Sequence, residues 1–90
     1  MTLAPELEGA IALIETLVMA GALVSLGHSG ATYVQGMAGI DAGARHATHL
    51  FNRMPPFSHR APGLAGAVLM AEGVTCEIVG DGYHVHPAMM

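Results

Sequence analysis

The chain has 90 residues, 52% of them hydrophobic and 11% charged, with no lysine, three arginines and a formal net charge of -4. That balance excludes the basic patch of a nucleic-acid-binding protein, and the longest apolar stretch, residues 20–26, falls far short of the roughly 20 residues that cross a bilayer, so neither nucleic acid nor membrane is an expected partner. No basic segment leads into an apolar core at the N-terminus and Cys76 has no second cysteine to pair with, so a reducing cytoplasm is the expected location.

After the short run Thr2-Leu3-Ala4, Pro5 fits a first helical turn and Glu6 and Glu8 suit a helix N-terminus, while Leu7, Ile11, Ile14 and Val18 recur at helical spacing up to a stop at Gly21. Residues 22–26 read as a buried strand. Ser29 is the expected N-cap of a second helix over residues 31–42, which Gly43 ends. Residues 44–48 form the next strand, with Arg45 and His46 as polar interruptions. A loop over residues 51–63 carries Pro55, Pro56 and Pro62, residues 64–71 resume as a helix, and residues 74–79 make a third strand running into Gly80-Asp81-Gly82-Tyr83-His84.

This alternation predicts an α/β fold with parallel strands, about three βα units of a (β/α)8 barrel. A whole barrel takes roughly 250 residues, so residues 1–90 are expected to be one incomplete barrel segment with open sheet edges and no second domain.

Each strand is followed by a histidine: His28 after Val24-Ser25-Leu26-Gly27, His49 after Ala47-Thr48, and His84 after the third strand. The C-terminal strand ends of such a barrel converge on one open face, so His28 and His49 can reach one metal ion, with Ser29 and Thr48 at hand to orient them. Two imidazoles are fewer than the three protein ligands a catalytic zinc takes, so a further ligand must come from elsewhere. Asn52, Arg53 and Arg60 lie in the loop beside that site and offer amide and guanidinium donors to an anionic, hydroxylated ligand. His84 either sits in an exposed turn or holds a substrate carbonyl or oxyanion. His46, His59 and His86 read as ordinary strand or loop residues, and the methionines as core filling.

In order, Leu3-Ala4-Pro5-Glu6, Gly27-His28-Ser29-Gly30-Ala31-Thr32, Thr48-His49-Leu50-Phe51-Asn52, Arg60-Ala61-Pro62-Gly63 and Asp81-Gly82-Tyr83-His84-Val85 resemble the N-acetylglucosamine-6-phosphate deacetylases of the amidohydrolase superfamily. The resemblance runs along essentially the whole chain. It implies a hydrolase of amino-sugar metabolism that converts N-acetylglucosamine 6-phosphate to glucosamine 6-phosphate and acetate with a metal-activated water. It makes His28 and His49 ligands of a divalent metal, zinc first, with iron, cobalt or manganese as alternatives. His84 becomes the contact to the acetamido carbonyl, Asn52 and Arg53 lie where the family binds the sugar phosphate, and Arg60 reaches the phosphate across a homodimer. Arg53 departs from the family's usual alanine. The family's metal-binding glutamate, in a His-x-Glu-Gly-Pro segment, and its catalytic aspartate have no counterpart here, and Glu6 belongs to a different block. The isolated chain is therefore expected to be inactive. Two alternatives stand beside this: deacetylation of another N-acetylated sugar phosphate, such as the galactosamine epimer, and a non-catalytic binding or assembly segment.

Overall fold

A computed structural model of the chain describes residues 1–89. The elements run β1 (Thr2–Leu3), α1 (Ala10–Met19), β2 (Ser25–Leu26), α2 (Tyr33–Asp41), β3 (His46–Ala47), α3 (Gly63–Met70) and β4 (Thr75–Cys76), followed by a 3-10 turn at Pro87–Met89. The strands form one parallel sheet in the order β1-β2-β3-β4. Each helix is a crossover between neighbouring parallel strands, the repeating step of a (β/α)8 barrel. The expected three βα units are present, with one more strand than the sequence pattern marks, because the run that holds β1 stops at Pro5.

The paired strands are short, but the ladder extends past them. Ser25 N–H donates to Met1 O at 2.8 Å, Thr48 N–H to Leu26 O at 2.8 Å and Glu77 N–H to Ala47 O at 2.9 Å. The two faces of the sheet differ. Val24, Leu26 and Ala47 join the helices' Ile14, Ile40, Leu64, Ala67 and Val68 in the core. On the other face, Thr48 Oγ1 hydrogen-bonds Ser25 Oγ at 2.7 Å and Thr2 Oγ1 at 3.1 Å. Residues 22–26 and 44–48 are therefore not uniformly apolar strands, because period-2 alternation sends every second side chain to the polar face.

Helix α3 is apolar all round, and every residue from Gly63 to Val68 is buried. It packs on α2 through small residues: a Cβ at Gly36 would lie 2.9 Å from Ala67 Cβ and 3.0 Å from Leu64 Cδ1. Leu64 N–H donates to Ala31 O at 3.2 Å, which ties the start of α3 to the loop before α2.

Two helix starts differ from expectation. Helix α1 begins after Gly9, whose φ of 79° suits glycine, rather than at Pro5. Helix α2 is capped by Thr32, not Ser29: Thr32 Oγ1 accepts from Gln35 N at 3.2 Å while Gln35 Oε1 accepts from Thr32 N at 2.9 Å, a reciprocal capping box. Ser29 and Glu6 are both withdrawn from helix capping by the bond between them, Ser29 Oγ donating to Glu6 Oε1 at 2.6 Å.

Candidate functional site

The loops after β2, β3 and β4 open on one side of the sheet. There a cavity of about 330 Å3 is lined by His28, His49, Asn52, Arg53, Val79 and His84. The ring centroids of His28 and His49 lie 5.8 Å apart with 67° between their planes. Both imidazoles thus share one side of a parallel sheet, as ligands of one ion must.

The backbone at this rim is strained. The non-glycine residues with positive φ are His28 (49°), His49 (33°), Phe51 (75°) and Arg53 (54°), and three of these four line the cavity. Such conformations cost on the order of 1–3 kcal/mol each and persist where surrounding structure holds them, characteristically at functional sites. No side-chain pattern in the sequence announces them.

His49 is oriented by backbone rather than by the expected hydroxyls. Its Nδ1 lies 2.9 Å from Asn52 O, an acceptor only, so in the neutral ring Nδ1 carries the proton and Nε2 the lone pair. This is the supporting pattern of a metal-ligating imidazole. Thr48 is engaged by Ser25 and Thr2, and Ser29 by Glu6 and Ala31, so neither hydroxyl is hydrogen-bonded to the histidines. The Asn52 amide makes a long contact to Leu50 O at 3.4 Å.

Ser29, only 2% exposed, fastens the loop that carries His28. Its Oγ donates to Glu6 Oε1 at 2.6 Å and accepts from Ala31 N at 3.0 Å, and its N–H donates to Arg53 O at 2.8 Å. Gly30 N–H fills the other Glu6 oxygen at 2.8 Å. Burial pulls the Glu6 carboxyl up, but the Ser29 hydroxyl and the Glu6 and Gly30 backbone N–H groups outweigh it and hold it below the usual carboxylate value. Each Glu6 oxygen thus accepts a hydrogen bond from the loop that carries His28, and Glu6 is not among the residues that line the histidine cavity.

After β4, Asp81 Oδ1 accepts from the N–H groups of Tyr83 at 2.8 Å and His84 at 2.9 Å, and Oδ2 lies 2.7 Å from His84 Nδ1. The backbone N–H of His84, then that of Tyr83, then the His84 ring bring the Asp81 carboxyl down to about 2. The sequence pattern marks His84 but not Asp81, although an Asp three residues before a histidine in a Gly-rich turn is a recognisable turn signal.

Arg60 is placed elsewhere. It is exposed and borders a separate, larger and mainly apolar groove of about 500 Å3 beside Thr32, Tyr33, Pro55 and Pro62. No histidine lines that groove, so size and chemistry point to different places, and chemistry decides for the smaller cavity. His46 pairs with Glu77 at 3.5 Å and His86 Nδ1 accepts from Ala88 N at 3.1 Å, the ordinary structural roles expected of them.

Among the described residues no group of three or more His, Cys, Asp or Glu side chains is placed to hold a metal ion. Two imidazoles, His28 and His49, with ring centroids 5.8 Å apart on one side of the sheet, would supply two ligands of a metal ion and leave a third to come from elsewhere. Among the described residues no helix is long and apolar enough to cross a membrane.

No protein-family model matches the chain. An N-acetylglucosamine-6-phosphate deacetylase of Lysinibacillus sphaericus is 42% identical over 86 residues, 96% of this chain and 22% of its own length. An N-acetylgalactosamine-6-phosphate deacetylase of Escherichia coli O157:H7 is 46% identical over 90 residues, 100% of this chain and 24% of its own length. A mutant N-acetyl-D-glucosamine-6-phosphate deacetylase from Mycobacterium smegmatis, solved in complex with N-acetyl-D-glucosamine-6-phosphate, superposes with a TM-score of 0.95 at 51% identity, covering 98% of this chain and 23% of that one. The chain thus spans about a quarter of the length of the relatives it matches. In sequence and in fold alike, these residues are a partial (β/α)8 barrel that matches one segment of the N-acetylglucosamine- and N-acetylgalactosamine-6-phosphate deacetylases.

Proposed function

We propose that this chain forms part of the active site of an enzyme that hydrolyses the N-acetyl group of N-acetylglucosamine 6-phosphate, giving glucosamine 6-phosphate and acetate. The observation that carries this reading is the single cavity that gathers His28, His49, Asn52, Arg53 and His84. Its volume, about 330 Å3, lies in the range of about 300–1,000 Å3 for small-molecule sites.

His28 and His49 hold a divalent metal ion, zinc first, with iron, cobalt or manganese as alternatives. Such an ion supplies Lewis-acid activation of water. His84 holds the acetamido oxygen by a hydrogen bond that strengthens as charge develops there, so it favours the transition state over the ground state. Asn52 and Arg53 hold the phosphorylated end of the sugar, Arg53 as a guanidinium fork suited to phosphate. Arg60, outside this cavity, serves the phosphate of a second subunit in a homodimer. The reaction is placed in the cytoplasm, which suits a chain with one unpaired thiol.

The galactosamine epimer is a second substrate candidate, favoured by the name of the 46% identical relative. The 90-residue chain alone is proposed to be inactive, since among the described residues no group of three or more His, Cys, Asp or Glu side chains is placed to hold a metal ion, and the family's catalytic aspartate has no counterpart in the sequence.

The test is transplantation. The chain replaces the matching segment of the Mycobacterium smegmatis enzyme, and acetate release is measured from both N-acetylated hexosamine 6-phosphates. Turnover by the chimera and none by the isolated chain is expected. A folded, metal-loaded chimera without turnover on either sugar would overturn the reading, and turnover by the isolated chain would overturn its claimed inactivity.

A further inference from the structure

We infer that Asp81 is a positioning residue that fixes the His84 imidazole with its proton on Nδ1 and so decides what His84 can offer a ligand. The inference rests on the reading of His84 as a substrate contact only for its consequence, not for its geometry. Asp81 lies outside the cavity itself, whose lining includes His84 but not Asp81.

The geometry assigns the proton. Asp81 Oδ2 lies 2.7 Å from His84 Nδ1, a length typical of a charge-assisted bond. The carboxyl stays ionised far below neutral pH, with its pKa at about 2, so it can only accept, and Nδ1 must donate. A neutral imidazole has one N–H. With that N–H given to Asp81, Nε2 is left as a lone pair, the one remaining polar atom of a ring that borders the cavity with His28, His49 and Arg53.

The consequence concerns chemistry. As a neutral ring, His84 can accept a hydrogen bond from a ligand hydroxyl or N–H, but it cannot donate one to a carbonyl oxygen. It donates from Nε2 only as an imidazolium, whose other N–H remains on the Asp81 carboxylate. The oxygen contact made by His84 is then a cationic one, stronger than a neutral donor's and matched to an oxyanion. Asp81 also fixes where the ring sits, because its Oδ1 caps the backbone N–H groups of Tyr83 and His84. One carboxylate thus sets both backbone and tautomer.

Asp81→Asn separates the two jobs. The Asn oxygen can still cap Tyr83 and His84, whereas its NH2 group can only donate to Nδ1 and so drives the ring proton to Nε2. The experiment is long-range proton–nitrogen NMR of the full 90-residue chain, labelled at histidine, at about pH 9, well above the ordinary imidazole pKa of about 6.5. The His84 signals are identified by their loss in His84→Gln.

The expected result is a proton on Nδ1 in the wild type and on Nε2 in Asp81→Asn, with Tyr83 and His84 amide shifts retained. His49, whose Nδ1 faces the Asn52 carbonyl, should keep its tautomer throughout. A wild-type ring protonated on Nε2 overturns the inference, as does an unchanged tautomer in Asp81→Asn with the amide shifts retained. Should the variant disturb the turn, the wild-type pattern decides alone. The readout needs neither metal nor substrate, so failure of the transplanted chain to release acetate would count against the deacetylase reading and leave the Asp81 assignment standing.

Discussion

His28 and His49 come from different strands, yet their rings meet edge to face with centroids 5.8 Å apart. The parallel pairing of β2 with β3, Leu26 opposite Ala47, puts the residue two positions beyond each strand at the same height on the sheet. Left-handed backbone at both histidines then turns the rings toward one another.

Removal of either ring should therefore abolish shared binding. Titration calorimetry of the chain with zinc is expected to show binding weakened by about tenfold or more in His28→Ala and in His49→Ala, at least the 10–100-fold loss that removal of a merely supporting group produces. Equal affinity in wild type and both variants would place the metal elsewhere.

Gly27→Ala should lower both stability and metal affinity. A Cβ there would sit 2.9 Å from Thr48 Cβ and 3.1 Å from Thr48 O, an obstacle that includes backbone. Overpacking costs about 1–3 kcal/mol, more than the roughly 0.4–1 kcal/mol gained by restricting the unfolded chain. The midpoint of denaturant unfolding should fall. Zinc binding should fall with it, because Gly27 and Thr48 are the immediate neighbours of His28 and His49. An unchanged midpoint would show that the strands separate freely at this point.

Ser29→Ala should destabilise the chain by about 1–3 kcal/mol, the cost of leaving a buried polar partner unsatisfied, since it strips Oγ from both Glu6 and the Ala31 N–H. Denaturant unfolding checks this. Ser29→Thr keeps the hydroxyl, and rescue by it would separate the hydrogen bonds from simple packing.

Acid should release the turn after β4. The folded pKa of Asp81, about 2, is below the ordinary Asp value of about 3.9. Its contribution is thus fully present above the unfolded value and is lost as pH falls through the folded one. Tyr83 and His84 amide shifts, followed by NMR, should hold down to about pH 4 and move together toward pH 2. Asp81→Ala should show the acid-form shifts at every pH.

Arg53 and Arg60 should separate by subunit. In the transplanted enzyme, Arg60→Ala should raise KM for the 6-phosphorylated sugar far more than for the unphosphorylated one, and adding a subunit with intact Arg60 but no metal ligands should restore part of the loss. Equal losses on both sugars would assign Arg60 a structural role in its own groove.

The strand-end histidines were legible because βα alternation fixes which end of each strand a residue occupies, and that end fixes the face. The capping box was legible too, in the Thr32-Tyr33-Val34-Gln35 spacing, but Ser29 drew the cap as a good N-cap residue ahead of the helix expected from Ala31. β1 escaped notice since its run, Thr2-Leu3-Ala4, ends at Pro5, whereas the other paired residues lie within runs of five or six residues. The Glu6–Ser29 bond joins positions 23 apart in sequence, and no local pattern contains it. Positive φ at His28, His49 and Arg53 is likewise imposed by tertiary structure, against the preference of the residues themselves.

Ser29 gives mutational data at this site an ambiguity of its own. Through its hydroxyl and its N–H it joins the loop after β1, at Glu6, to the loop after β3, at Arg53, and it is the residue next to His28. A change at Glu6, or a shift of the backbone at Arg53, is therefore transmitted to His28, the proposed metal donor, to which neither is bonded. Single substitutions across these loops will not sum, and a loss of affinity on mutation does not by itself identify a ligand. Only double-mutant cycles that pair each position with Ser29 separate direct coordination from displacement carried along the backbone.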